Sequence, residues 1–145
     1  MKKLIGLVLL AVLALALSAC ASGGSSDDLT GIVWEWTAMQ ETVPASQSVV
    51  PDPENYTITF NADNTLAIKA DCNQVTGSYT LSGSDLTIML GASTLAFCGE
   101  DSQDALYLAS LARVTSYAIE GGELQLSFAD DAGKMDFQNG GAAAQ

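Results

Sequence analysis

The chain has 145 residues, 48% hydrophobic and 15% charged, with seventeen acidic side chains, five basic ones and no histidine. A net charge of −12 repels phosphate backbones, whose capture depends on Lys and Arg displacing counterions, so nucleic acid is excluded as a partner. Without histidine, Ser/His/Asp and Cys/His nucleophilic mechanisms are excluded, and the commonest zinc ligand is missing.

The amino terminus is an address. Lys2 and Lys3 precede an apolar run from Leu4 to Leu17, too short for the roughly 20 residues of a bilayer-spanning helix. The run closes on Leu17-Ser18-Ala19-Cys20, which resembles the bacterial lipobox. That resemblance implies cleavage before Cys20 and acylation of its thiol and amine, with residues 1–19 as the signal peptide. The alternative is an ordinary signal peptide with a chance cysteine. Ala21 to Asp28 is polar and Gly/Ser-rich, a tether with a random-coil reach of roughly 15 Å. The expected location is the cell envelope, lipid-anchored and extracytoplasmic, at the outer membrane or cell surface. Beyond the leader, Lys69, Arg113 and Lys134 face all seventeen acids, a net charge of −14. Such a solvated surface suits solubility, and it can attract cations or basic proteins. The remaining residues suffice for one domain.

The first element alternates Ile32, Trp34, Trp36 and Ala38 against Glu35 and Thr37, a strand that Val33 and Met39 blur. Gln40 to Asn55 carries all three prolines and reads as a long loop. Tyr56–Phe60 and Leu66–Ala70 form a hairpin around Asn61 to Thr65, and Val75–Leu81 and Leu86–Leu90 form another around Ser82 to Asp85. Asp101 to Val114 shifts to a helical period, with Ala105, Leu108, Leu111 and Ala112 on one apolar face widened by Tyr107 and Val114. Asp101 and Asp104 at its start and Arg113 in its last turn favour the helix dipole. Short strands follow at Thr115–Ile119, Leu124–Phe128 and Lys134–Phe137, separated by Gly- or Asp-rich turns. Residues 139–145 read as a disordered tail, frayed from Gly140 onward. The predicted fold is mainly β with one helix (α+β): an antiparallel curled sheet or small barrel of about eight short strands on one amphipathic helix.

With Cys20 lipidated, Cys72 and Cys98 are an even pair in an oxidising compartment, and a disulfide is the natural inference. A loop of about 26 residues gains roughly 3.5 kcal/mol by restricting the unfolded chain. Two free thiols are the alternative.

Several motifs now point the same way. Trp34-x-Trp36, Tyr56-Thr57-Ile58-Thr59-Phe60, Asp71-Cys72-Asn73-Gln74-Val75-Thr76-Gly77-Ser78-Tyr79 and Ser93-Thr94-Leu95-Ala96-Phe97-Cys98 follow in order. With Tyr107-Leu108-Ala109-Ser110-Leu111 and Val114-Thr115-Ser116-Tyr117, they resemble the META/HslJ domain of bacterial lipoproteins, over residues 29–138. The resemblance implies a small β-rich fold with a helix, envelope localisation and links to stress or antibiotic tolerance, without catalytic residues to carry over. This chain departs from the family's usual Gly-Cys-Asn and Met-Ala-Cys, having Asp71 before Cys72 and Ala96-Phe97 before Cys98.

Asp71, Asn73, Ser78, Tyr79 and Thr94 are the candidate binding surface, gathered around Cys72. The competing reading makes Asn73 and Gly77 a turn and puts Tyr79 in the core. With Cys72 and Cys98 bridged, the segment Gly91 to Gly99 is pinned beside this turn and becomes the best candidate recognition surface. Trp34 and Trp36 read as core rather than as binding anchors. Glu100, Asp101 and Asp104, and Asp130 with Asp131, lack the spacing of a calcium loop and read as solvated turns and helix capping. No metal site, cofactor or catalytic residue is predicted. The expected molecule is a monomeric, non-enzymatic, lipid-anchored binding or stress-tolerance module whose partners are the membrane and a basic protein or small ligand. The alternative is an inhibitor of a basic secreted enzyme such as a lysozyme or protease. A carboxylate-based hydrolase is the remaining possibility, with no spacing that picks out two acids.

Overall fold

In the computed structural model, residues 26–144 are described; the expected leader, Cys20 and the tether as far as Ser25 lie outside them. A single helical turn, α1 (Ser26–Leu29), leads into nine strands and one longer helix. The strands are β1 (Ile32–Thr42), β2 (Ala45–Val49), β3 (Tyr56–Phe60), β4 (Thr65–Ala70), β5 (Asn73–Ser82) and β6 (Asp85–Ser93). Helix α2 (Asp104–Leu111) precedes β7 (Val114–Glu120), β8 (Glu123–Phe128) and β9 (Gly133–Ala142).

All the strand pairings are antiparallel, and β1 closes the sheet on itself. One edge of β1 pairs with β9, from Ile32 opposite Ala142 to Glu41 opposite Gly133. Its other edge pairs with β3 over Val33–Glu35 and then with β2 over Ala38–Thr42. Eight strands thus form a barrel, with β2 extending the wall beyond β3, as the curled antiparallel reading predicts. Closure removes most unpaired edges, the hazard of an open β sheet. The wall is thinnest between β6 and β7, where Asp85 opposite Ser116 is the one paired position, with Tyr117 N–H donating to the Ser84 carbonyl at 3.0 Å.

Alternation sends Trp34 and Trp36 inward, both essentially fully buried, which bears out their reading as core. A bulge between Trp36 and Ala38 against β9 then shifts the phase by one residue and turns Met39 inward. That bulge is why Met39 blurs the sequence pattern. Phe60, Ile68, Leu126 and Phe137 join the same core. A second bulge on β6, between β5 positions Val75 and Gly77, brings the two strands close. A Cβ on Gly77 would sit 2.6 Å from the Met89 carbonyl oxygen, so that site admits only hydrogen.

Four expectations need correction. Gln40 to Asn55 is not one loop: β1 runs on to Thr42 and β2 follows, its side chains mostly exposed and without alternation, held by backbone pairing with β1. The carboxyl end does not fray at Gly140. Strand β9 reaches Ala142, and Ala143 N–H donates to the Gly31 carbonyl at 2.9 Å, a backbone pairing that needs no side-chain signal. The helix is shorter than Asp101 to Val114; its buried face keeps the expected Tyr107 and Leu111 and adds Ser110, while Ala105 and Ala112 are exposed. Asn73 and Gly77 do not form a turn; both lie in β5, and the turn is Asp71-Cys72.

The registers define two ends. At the near end the chain enters, and the turns after Phe60, Ser82 and Glu120 close pairs of strands. At the far end lie the β1–β2 hairpin, the Asp71-Cys72 turn, the segment 94–103 and helix α2. Tyr107 fixes that helix as a lid. Its ring stacks on Trp36 at 5.1 Å and meets Tyr56 edge-on at 5.7 Å. Past the helix, Arg113 bonds Glu41 at 2.8 Å and lies 4.4 Å from the Phe128 ring centre. Among the described residues no helix is long and apolar enough to cross a membrane.

Candidate functional site

The far end is built on a two-residue turn. Ala70 and Asn73 pair across it, so Asp71 and Cys72 must reverse the chain. Asp71 does so with φ of 58°, the left-handed region that favours glycine and that Asp and Asn tolerate best among other residues. Here the aspartate departs from the family's usual glycine while keeping a glycine-like backbone. Its N–H donates to the Asn55 carbonyl at 2.7 Å, and its Oδ2 accepts a 3.4 Å bond from the Tyr56 hydroxyl.

Cys72 and Cys98 are bridged, their Cα atoms 5.5 Å apart, as the sequence predicts. The bridge ties the 94–103 segment to the turn, and the neighbouring Asn73 holds it still. Asn73 is 4% exposed and all its polar capacity is used. Its Oδ1 accepts from Ala96 N–H at 2.8 Å and from Thr94 Oγ1 at 3.0 Å. Its Nδ2 donates among the Ala96 carbonyl at 3.1 Å, Asp104 Oδ2 at 3.1 Å and Cys98 Sγ at 3.3 Å. Thr94 Oγ1 in turn accepts from Gln74 N–H at 2.9 Å. One buried amide therefore stands in for the backbone partners of a loop that has left the sheet.

The same network positions the helix. Tyr56 Oη accepts from Gln103 N–H at 2.9 Å, and Asp104 Oδ1 accepts from Ala105 N–H at 2.7 Å, beside the helix's first turn. Beneath it, Tyr107 is wholly buried and its hydroxyl has no hydrogen-bond partner among the described residues. Burial pushes that hydroxyl's pKa well above the ordinary tyrosine value, because a phenolate there has nothing to solvate it.

The predicted surface residues divide. Asp71, Asn73 and Thr94 come together at the disulfide. Ser78 and Tyr79 lie five or six residues further along β5, roughly 17 Å or more away at strand rise. Tyr79 is buried, donates its O–H to the Asn61 carbonyl at 2.7 Å and packs its ring edge-on against Phe60 at 5.1 Å. Burial raises its pKa, with the Asp63 carboxylate adding to the effect. Ser78 and Tyr79 help line an open cleft of about 470 Å³ with Asp63–Thr65 and Met89 at the near end.

Two residues of the expected Gly91–Gly99 surface stand out once the bridge is in place. Leu95 and Phe97 project outward from the clamped loop, 93% and 84% exposed. The sequence marks the segment as pinned beside the turn but does not single out these two side chains. Among the described residues no group of three Cys, Asp or Glu side chains is arranged to hold a metal ion. The Glu100–Asp101 pair is exposed, and Asp104 is engaged by Asn73.

An eight-stranded antiparallel barrel lidded by one helix, with a disulfide clamping a loop beside that lid, defines a class of small β domain. Within it, the chain belongs to the META domain family, whose model matches residues 27–139. Two solved structures share the fold. One, an NMR structure of a protein from Burkholderia xenovorans, is 20% identical with a TM-score of 0.61, over 77% of this chain and 83% of its own. The other, a crystal structure of a DUF4847 family protein from Bacteroides vulgatus, is 13% identical with a TM-score of 0.64, over 79% of this chain and 96% of its own. No curated protein matches the chain.

Proposed function

We propose that this META-domain protein is a lipid-anchored, non-enzymatic binding module of the cell envelope, serving tolerance of stress. The leader and Leu17-Ser18-Ala19-Cys20 support the anchor. The observation that carries the binding role is the far end of the barrel. There a disulfide and one buried asparagine hold a loop rigid while its side chains stand in solvent. A preorganised, exposed loop loses little conformational entropy on docking, the condition for useful affinity from a small contact. The absence of histidine from the whole sequence supports a role without histidine-activated nucleophilic chemistry.

Cys20→Ser tests the anchor: the variant is expected in the soluble fraction, and retention with the membranes overturns the lipid assignment. A purified domain that turns over a substrate in a hydrolase panel overturns the non-enzymatic reading. The second reading, an inhibitor of a basic secreted enzyme, draws on the same clamped loop and on the acidic charge.

A further inference from the structure

We propose that the loop Thr94–Cys98 is a docking tip, and that Leu95 and Phe97 seat in an apolar recess of a basic protein. This rests on the binding-module reading and names the contact residues and the partner's chemistry. The two side chains are 93% and 84% exposed on a segment whose backbone is fixed by Asn73, Thr94 and the Cys72–Cys98 bridge. Apolar side chains held rigidly in water lose little entropy on burial, the property of an interface anchor.

The surroundings set the partner's charge. Asp71, Glu100, Asp101 and Asp104 flank the loop along the chain or through the disulfide turn. The cations at this end are engaged: Arg113 bonds Glu41, Lys134 forms an ion pair with Asp136, and Lys69 donates to the Glu54 carbonyl and Asn55 Oδ1. An apolar tip in an acidic rim complements a basic surface around an apolar recess, and it is repelled by anionic headgroups. The topology also favours a protein over the bilayer. The chain enters at the near end, where Leu29 accepts the Trp34 indole bond, whereas the loop lies at the opposite end. The ten residues of β5 span roughly 30 Å, which separates the loop from the end where the chain enters. The tip therefore points away from the membrane that holds the anchor.

The test uses the full anchored chain in zwitterionic vesicles with lysozyme as the basic probe. Expected is salt-sensitive co-flotation of lysozyme, weakened about tenfold by Leu95→Ser with Phe97→Ser and by reduction of the disulfide. Met89→Ser, on an exposed side chain away from the loop, is expected to leave it unchanged. Unaltered melting of the loop variant shows that the fold survives. Absence of lysozyme at low salt, or capture indifferent to the loop variant, overturns the proposal. So does loop-dependent flotation of the Cys20→Ser protein alone, which marks a lipid-binding tip, or loop-dependent dimerisation, which marks a second copy as the occupant. Flotation of the anchored chain itself is read in the same samples, so failure of the anchor is distinguished from failure of docking.

Discussion

The two ends of the barrel solve the same problem, covering the open mouth of a small closed sheet, by different means. The near end uses short hairpin turns whose bonds are mostly local, braced by Tyr79 from the neighbouring strand. Asn61 N–H donates to the Thr65 carbonyl at 3.0 Å and the Thr65 hydroxyl to Asp63 Oδ1, with Tyr79 adding bonds to the Asn61 and Asn64 carbonyls. The far end uses groups distant in sequence. A helix inserts Tyr107, a disulfide joins residues 26 apart, and Asn73 reaches 21–31 residues along the chain. Local turns form from their own sequence, whereas the far end exists only once the barrel has closed. The lesson is that the end with long-range bonds carries the exposed, preorganised loop, because only long-range bonds can hold a segment outside the sheet.

Perturbing the lid should separate the ends most strongly. Tyr107→Ala removes a ring stacked between Trp36, Tyr56 and Phe137, and large-to-small core changes of this kind cost about 3–5 kcal/mol. Urea unfolding is expected to show that loss. A cost under about 1 kcal/mol is the result for a lid that contributes little to the core.

Breaking the bridge comes next. Cys72→Ser with Cys98→Ser releases a loop of 26 residues and should cost about 3.5 kcal/mol. Hydrogen exchange sharpens the comparison: amides of residues 94–103 are expected to lose protection first, ahead of those around Asn61–Thr65. Equal loss at both ends would mean that the bridge stabilises the barrel as a whole and not its far end.

The near end was largely legible in the sequence because its determinants are local. Alternation from Tyr56 to Phe60 and from Leu66 to Ala70, with Asn and Asp between them, yields the right hairpin. The far end was legible only in part. Cysteine parity located the bridge, and the Asp101–Val114 periodicity located a helix and the Tyr107 and Leu111 part of its buried face, but not Ser110 or the helix bounds. Nothing local marks Asn73 as a clamp, since its partners are Thr94, Ala96, Cys98 and Asp104. Strand β2 was missed for a related reason: its side chains are mostly exposed, so its identity lies in pairing with β1 and not in hydrophobic spacing.

Asn73→Ala tests that clamp directly. It leaves Ala96 N–H without its acceptor and should cost about 2 kcal/mol, with exchange rising across residues 94–98 while the bridge stays formed. Asn73→Asp keeps the acceptor oxygens but loses the donors and adds charge beside Asp104, so it should not rescue the loop. Full rescue by Asp would mean that the Oδ1 bonds alone hold the segment.

Tyr107→Phe acts in the opposite direction. It removes a buried hydroxyl without a partner and should stabilise the fold by about 1 kcal/mol at neutral pH. The pH dependence follows from the raised pKa. The folded state favours the neutral phenol, so the group's contribution is complete below an ordinary tyrosine value of about 10 and is lost as pH climbs through the higher folded value. The variant should therefore lose less stability than the parent above pH 10, with the residual decline carried in part by Tyr79. Parallel declines would mean that the Tyr107 hydroxyl reaches solvent before the fold melts.

The smallest effect lies at the near end. Asp63 is fully exposed, yet its carboxyl pKa is lowered by hydrogen bonds from the Thr65 hydroxyl, at 2.6 Å, and the Thr65 N–H, at 3.1 Å. A depressed folded value means that the turn's support is present above the ordinary carboxylate range and fades as pH falls through that lower value. Thr65→Ala removes the hydroxyl and should move the Asp63 titration, followed by carboxyl chemical shifts, back toward the ordinary value. Exchange at residues 94–98 should not change. If the far-end loop did respond, the two ends would be coupled through β4 and β5, and the division between local and long-range closure would have to be abandoned.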